Sequence, residues 1–210
     1  MLHQFRKQYN YSTLSEESVP KNPYDLFKKW MHEAIDAKEI EPNAMVISTV
    51  DENMQPHSRM VLLKDLSSQG LTFYSNYDSN KAAQILVNNR IAVLFFWPNL
   101  ERQVRLTGSV SKIPESVSEE YFASRPVDSQ LGAWSSPQSR TIRDYNMLKE
   151  NAEKYRALFG AKIPKPPFWG GYLIIPETYE FWQGRPNRLH DRLYYSKSCS
   201  CEWEIERLAP

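Results

Sequence analysis

Gln103-Val104-Arg105-Leu106-Thr107-Gly108-Ser109-Val110-Ser111-Lys112-Ile113 is the stretch whose pattern decides the fold. Val104, Leu106 and Val110 alternate with Gln103, Arg105, Thr107 and Ser111. A period of two sends one set to a buried face and the other to water, the signature of a strand in an antiparallel sheet. Working outward, 44–50, the apolar run bracketed by Arg59 and Lys64, 71–75 and 91–97 are short, apolar and β-branched or aromatic. Asp51-Glu52-Asn53 reads as a turn between the first two. Further strands are expected at 171–175, 178–182, 193–195 and 202–207. Helices punctuate the series. Asn22-Pro23 is a cap followed by proline at the first helical position. Leu26, Phe27, Trp30, Met31, Ala34 and Ile35 then recur at helical spacing over 23–37. A short helix is expected at 80–88, and longer ones at 115–124 and 143–159 with a loop between them. The expected class is mainly β (α+β): an antiparallel barrel, closed or nearly so, with helices packed outside. Residues 1–21 lack periodicity and read as a flexible arm; 22–210 reads as one domain.

Composition narrows the function. The 210 residues carry 26 Lys and Arg against 25 Asp and Glu. A net charge of +1 argues against a general nucleic-acid or membrane-surface binder, which carries a basic excess. The two cysteines, Cys199 and Cys201, make neither a disulfide framework nor a zinc site without other ligands, and read as free thiols. No apolar run reaches membrane-spanning length, and the N-terminus lacks a signal-peptide core, so a soluble, cytoplasmic protein is expected.

Several segments carry more chemistry than packing requires. Residues 180–192, Glu-Phe-Trp-Gln-Gly-Arg-Pro-Asn-Arg-Leu-His-Asp-Arg, set two aromatics, three arginines and a histidine around a turn. Arginine forks suit carboxylate or phosphate, histidine moves protons near neutrality, and Trp182 offers a wall for a planar ring. Arg59 and Lys64, five apart, fall on opposite strand faces and should not grip the same anion. Ser79 is a candidate N-cap that places Lys81 in the first turn of a helix, where the dipole disfavours a cation unless an anion is bound there. Gln103 and Arg105 share a polar strand face. Tyr121, Arg125 and Ser129, at four-residue spacing, converge as a phosphate cradle if the helix continues past Pro126. Gln138-Ser139 lies in a loop of small polar residues. Each feature alone has a plain reading as a surface charge, a solvated face or a helix end; their number in a neutral chain is what stands out.

Read together, these segments resemble the pyridoxine (pyridoxamine) 5′-phosphate oxidase family, flavin enzymes of vitamin B6 metabolism. The resemblance runs from about Asn22 to Pro210. It is carried by Arg-Met-Val-Leu-Leu-Lys at 59–64, Phe-Tyr-Ser-Asn at 73–76, Glu-Arg-Gln-Val at 101–104 and Ser-Arg-Pro-Val-Asp-Ser-Gln-Leu-Gly-Ala-Trp at 124–134. Phe-Trp-Gly-Gly at 168–171, Phe-Trp-Gln-Gly at 181–184, Arg-Leu-His-Asp-Arg at 188–192 and Arg-Leu-Ala-Pro at 207–210 complete it. The resemblance implies an FMN-binding split β-barrel and a homodimer with FMN at the interface. It also implies oxidation of pyridoxine or pyridoxamine 5′-phosphate to pyridoxal 5′-phosphate, with oxygen reduced to hydrogen peroxide. By position it assigns Arg59, Met60, Val61, Leu62, Leu63, Lys64, Tyr74, Ser75, Asn80, Lys81, Gln103, Gln138, Ser139, Trp182 and Arg192 to the cofactor. Lys64, Tyr121, Arg125 and Ser129 match the substrate-phosphate cradle. Arg188, Leu189 and His190 lie beside the substrate ring, with Arg188 and His190 as the catalytic pair, and Arg6 and Tyr9 resemble a pair that closes over the substrate. Asn80 stands where many members have arginine, and Ser75 where some have threonine. Arg185 matches no site position. The alternative is a flavin-binding split-barrel carrier or sensor without catalysis.

Overall fold

The computed structural model describes residues 2–4 and 7–210. Helix α1, Pro23–Asp36, begins where the Asn22 side chain accepts the Tyr24 amide. It buries Leu26, Phe27, Trp30, Met31 and Ala34, while Ile35 at the margin of the apolar stripe is exposed. The strands are β1 (Ala44–Val50), β2 (Pro56–Leu62), β3 (Asp65–Ser67), β4 (Gly70–Asn76), β5 (Arg90–Trp97), β6 (Arg102–Lys112), β7 (Trp169–Gln183), β8 (Asp191–Lys197) and β9 (Trp203–Arg207). Helices α2 (Asn80–Val87), α3 (Glu115–Ser124), α4 (Val127–Ser135) and α5 (Asn146–Phe159) complete the element list.

All pairings are antiparallel, in the order β2-β1-β5-β6-β7-β4-β3, with β8 added to β7 and β9 to β8. The two ends of that path, β2 and β3, are joined by Leu63 and Lys64 alone. So short a link forces the sheet to curl until its ends meet. The Leu63 amide donates to the Asn43 carbonyl and the Lys64 amide to Thr72, both at 2.8 Å. The inner face supplies Met45, Ile47, Phe95, Val104, Leu106 and Phe181, and α1 closes one end with Phe27 and Trp30. A separate small cluster of Phe122, Leu131, Ile163 and Trp169 holds α3 and α4 against β7.

The architecture is the mainly β, α+β class expected, with three local corrections. The segments 171–175 and 178–182 form one 15-residue strand. Pro176, which separates them in the sequence, lies opposite Gly108 where the β6–β7 register shifts, and a bulge is where a strand tolerates a residue without an N–H. A Cβ on Gly108 would fall 2.1 Å from the Ile175 carbonyl oxygen. Gly108→Ala is therefore expected to cost roughly 1–3 kcal/mol, read from urea unfolding. Second, the expected loop after α3 contains α4, and α5 starts at Asn146 rather than 143. Third, the short edge strand β3 has no apolar signal of its own. Ahead of α1, Leu14 is buried in the main core, and the Tyr195 hydroxyl donates to the Pro20 carbonyl at 3.0 Å.

Candidate functional site

The curl of the sheet leaves a cleft of about 640 Å³ between β2, β4 and the α3–α4 junction. Met60, Val61, Leu62, Lys64, Tyr74, Ser75, Lys81, Tyr121, Arg125, Ser129 and Gln138 line it, with Asn76 and Trp169. Three cations face this space, and no aspartate or glutamate is among its lining residues.

Lys81 is buried in the first turn of α2. Its Nζ donates to Ser75 Oγ at 2.9 Å, Ser79 Oγ at 3.1 Å and Gln138 Oε1 at 2.9 Å, all neutral acceptors. Burial, with the nearby Arg59 charge added, pulls Lys81 down to about 8. Ser79 occupies the N-cap position but does not cap: its hydroxyl donates to the Asn76 carbonyl instead. The first amides of α2 thus keep no side-chain acceptor, the arrangement that suits an anion. Arg59 is not among the residues lining the cleft. Its Nη1 donates to Thr49 Oγ1 at 2.6 Å and its Nη2 to Gln84 Oε1 at 2.9 Å, while Thr49 donates to the same Gln84 oxygen. Lys64 lies beyond the end of β2, so strand pleating does not relate it to Arg59.

The helix does not continue past Pro126. Arg125 is extended (φ −73°, ψ 151°), and α4 begins a new path at Val127. Tyr121, Arg125 and Ser129 nevertheless reach one cleft because the two helices meet at an angle there. Gln130 bridges the break, its Nε2 donating to the carbonyls of Ala123 and Arg125. The Arg125 guanidinium lies 4.7 Å from the Trp169 ring centre, and its buried Nη1 has no hydrogen-bond partner. Burial lowers its pKa. An uncompensated buried charge is expensive, so a site that keeps one is shaped for an anionic ligand. Tyr121, Tyr74 and Trp169 stack beside it, with centroids 3.9 and 5.3 Å apart along the series.

A second group gathers elsewhere. Strand register puts Gln103 opposite Trp182, and Trp182 opposite Arg192. The His190 ring lies 4.6 Å from Trp182, and Tyr9 approaches both at 5.6 and 5.7 Å. The Arg185 amide donates to His190 Nδ1 at 3.1 Å. Because a backbone N–H can only donate, a neutral His190 carries its proton on Nε2 and presents a donor there. Burial and then the Arg188 charge lower the His190 pKa, opposed by Asp191. Arg188 is exposed in the turn Pro186–Arg188, and both Asn187 (φ 56°) and Arg188 (φ 63°) are left-handed. Such backbone is disfavoured for non-glycine residues and concentrates at functional sites. Leu189 is exposed beside it. Arg192 spends its donors on Glu180 Oε1, at 2.9 and 2.8 Å, and on the Ala209 carbonyl. Arg185 pairs with Asp191 and donates to the Ser12 carbonyl, a tie between chain segments.

None of Gln103, Trp182, Arg188, His190 or Arg192 lines the cleft. Leu63 is buried in the main core, Asn80 and Ser139 are exposed outside the cleft, and Arg6 lies outside the described residues. Thr49, Gln84, Trp169 and Glu180, which orient or back the site groups, were not singled out in the sequence. Trp169 alone left a signal, in Phe-Trp-Gly-Gly. Among the described residues no helix is long and apolar enough to cross a membrane.

The whole chain aligns with known proteins. The Haemophilus influenzae (strain 86-028NP) protein named pyridoxine/pyridoxamine 5′-phosphate oxidase is 50% identical over 209 residues, covering 100% of this chain and 99% of that relative. A Cupriavidus taiwanensis protein of the same name is 46% identical over the same spans. Among solved structures, PhzG from Burkholderia lata, in complex with tetrahydrophenazine-1-carboxylic acid, superposes with a TM-score of 0.89 at 26% identity, over 95% of this chain and 98% of that one. A pyridoxamine 5′-phosphate oxidase-related, FMN-binding protein of Nostoc punctiforme superposes with a TM-score of 0.72 at 16% identity, over 91% of this chain and 100% of that one. That likeness establishes the flavin-binding split-barrel fold. Residues 169–210, which carry Trp182, Arg188, His190 and Arg192, match the pyridoxine 5′-phosphate oxidase C-terminal dimerisation region. Residues 31–159, which carry the cleft, match the family described as pyridoxamine 5′-phosphate oxidase, and the chain belongs to that family.

Proposed function

We propose that this enzyme oxidises pyridoxine 5′-phosphate and pyridoxamine 5′-phosphate to pyridoxal 5′-phosphate, with FMN as cofactor and oxygen as the final acceptor, releasing hydrogen peroxide and, from the amine, ammonia on hydrolysis by water. The observation that carries the reading is the cleft's charge: three cations, no acid, and one buried guanidinium nitrogen left without a partner. Two phosphates have to be held, and the cations fall into two sets. Lys81, Ser75 and Gln138, with the open start of α2 and Arg59 behind, suit the FMN phosphate. Lys64, Tyr121, Arg125 and Ser129 suit the substrate phosphate.

FMN, held by Lys81, Ser75 and Gln138, would supply the two-electron acceptor. The chain's own part is placement. The cradle fixes the substrate so that its C4′ carbon has one approach. Arg188 and His190 flank the substrate ring. Arg188 stays protonated and acts by charge. His190 offers its Nε2 proton to a substrate oxygen, which favours stabilisation of developing charge over abstraction of a proton. No member of the second group lines the cleft of its own chain, and Trp182, Arg188, His190 and Arg192 lie in a matched dimerisation region. We therefore read the site as composite, the cleft of one subunit completed by the 182–192 turn of its partner, in a homodimer working in the cytoplasm.

Purified protein should show a flavin spectrum and form pyridoxal 5′-phosphate from both substrates only with oxygen. A yellow protein without turnover would instead mark a flavin carrier or sensor. The Lys81 shift adds a pH dependence. Only the protonated ammonium pairs with phosphate, and the free protein loses that proton above about 8. Binding there must take a proton up, so FMN affinity is expected to fall as pH rises, by at most about tenfold per unit. Titration of apoprotein with FMN between pH 7 and 10 checks this, and Lys81→Arg should flatten the profile.

A further inference from the structure

We propose that Glu101 is a positioning residue for this reaction: a buried latch in the β5–β6 turn that clamps residues 7–11 and so holds Tyr9 against Trp182 and His190. The proposal rests on the reading of the 182–192 turn as the substrate-facing part of the site. Glu101 is left-handed (φ 54°) and only 6% exposed. Its Oε2 accepts the amides of Asn10 at 2.7 Å and Tyr11 at 2.9 Å, and its Oε1 pairs with Lys7 Nζ at 3.2 Å. Its main-chain carbonyl accepts the Gly184 amide at 2.8 Å. One residue therefore ties the N-terminal segment through its side chain and the turn after Trp182 through its backbone.

Tyr9 sits between those two ties. Its ring meets Trp182 edge-on, at 88° and 5.6 Å, and lies 5.7 Å from His190. Gly184 makes the room, since a Cβ there would fall 2.7 Å from Tyr9 Cγ. Residues 7–11 join no strand, so no ladder holds this segment in place. A carboxylate bonded to two N–H groups and an ammonium holds it instead, and charge-assisted bonds of this kind are among the stronger ones. The chain further on has separate anchors: the Leu14 amide donates to Asp191 at 3.1 Å, and the Ser12 carbonyl accepts from Arg185 at 3.3 Å. Loss of the Glu101 carboxylate should thus free residues 7–11 and Tyr9 while the core stays folded.

The test uses the FMN-loaded protein. In Glu101→Ala, tryptic cleavage after Lys7 and the Michaelis constant for pyridoxamine 5′-phosphate should each rise about tenfold, with turnover number changed less. Glu101→Gln keeps an oxygen for the two amides and should restore most of both, and a circular-dichroism melt confirms the fold of each variant. Tyr9→Ala should raise the Michaelis constant alike, and the double variant should be no worse than Glu101→Ala, because the latch acts through Tyr9. Unchanged cleavage, unchanged kinetics despite faster cleavage, or multiplicative effects of the two substitutions would each overturn the latch. A wild-type protein inert toward both substrates sinks the proposed function instead, so the two failures are told apart.

Discussion

Arg188→Ala is expected to lower turnover by roughly 10²–10³-fold while FMN remains bound. Arg188 has no structural duty that would account for its place. Its side chain is exposed and forms no ion pair with the described residues, yet two successive left-handed residues hold it where it stands. Removing it should therefore leave the melting temperature almost unmoved, since exposed substitutions away from special features cost little. A second readout follows from its neighbour. Burial and the Arg188 charge together lower the His190 pKa. With the guanidinium gone, His190 protonates more readily, so the titration of its imidazole, followed by NMR, should move to higher pH. Stopped-flow reduction of the bound flavin by substrate measures the loss directly. Turnover within a fewfold of wild type would remove Arg188 from the mechanism.

Arg125→Met should produce the opposite division. Here the expected change is a rise of roughly 10²-fold in the Michaelis constant, the loss of about 3 kcal/mol of charge-assisted bonding to phosphate. Turnover at saturation should fall much less. Stability is the discriminating readout. The wild-type guanidinium is half-buried with Nη1 buried and unpartnered, and its desolvation lowers its pKa. Its contacts with the rings of Trp169 and Phe122, at 4.7 and 5.5 Å, offset part of that cost, and methionine keeps an apolar contact with both. Ligand-free Arg125→Met should therefore melt no lower than wild type. A large destabilisation would make Arg125 a structural cation, and an unchanged Michaelis constant would end its role in the cradle.

These two arginines were equally visible in the sequence, and their surroundings were not. The four-residue spacing of Tyr121, Arg125 and Ser129 brings them together by itself only if a helix runs through Pro126. Proline instead ends α3, and the cradle forms because α4 leaves at a new angle, with Gln130 spanning the gap. Helix α4 itself escaped notice because Val127–Ser135 contains Gly132 and several small polar residues, a loop composition. Leu131, packed with Phe122, Ile163 and Trp169, stabilises it from outside the segment. Pro176 split β7 on paper for a similar reason, since the bulge that accommodates it depends on Gly108, some seventy positions away on another strand.

The sequence by itself indicated most of the strands, α1 and a set of side chains suited to phosphate. Periodicity of two and of 3.6 is a local property, and phosphate-binding side chains announce their chemistry wherever they stand. Tertiary structure alone decided which of those side chains share a space. The link of two residues between β2 and β3 curls the sheet and brings Lys64, Lys81 and Arg125 to one cleft, while register sets Gln103, Trp182 and Arg192 in a row elsewhere. It also decided protonation. Lys81 falls to about 8 because it is buried beside Arg59, and Arg125 Nη1 is left without a hydrogen-bond partner in a cleft whose lining holds no acid. Desolvation and proximity are properties of the assembled interior, and no spacing along the chain encodes them.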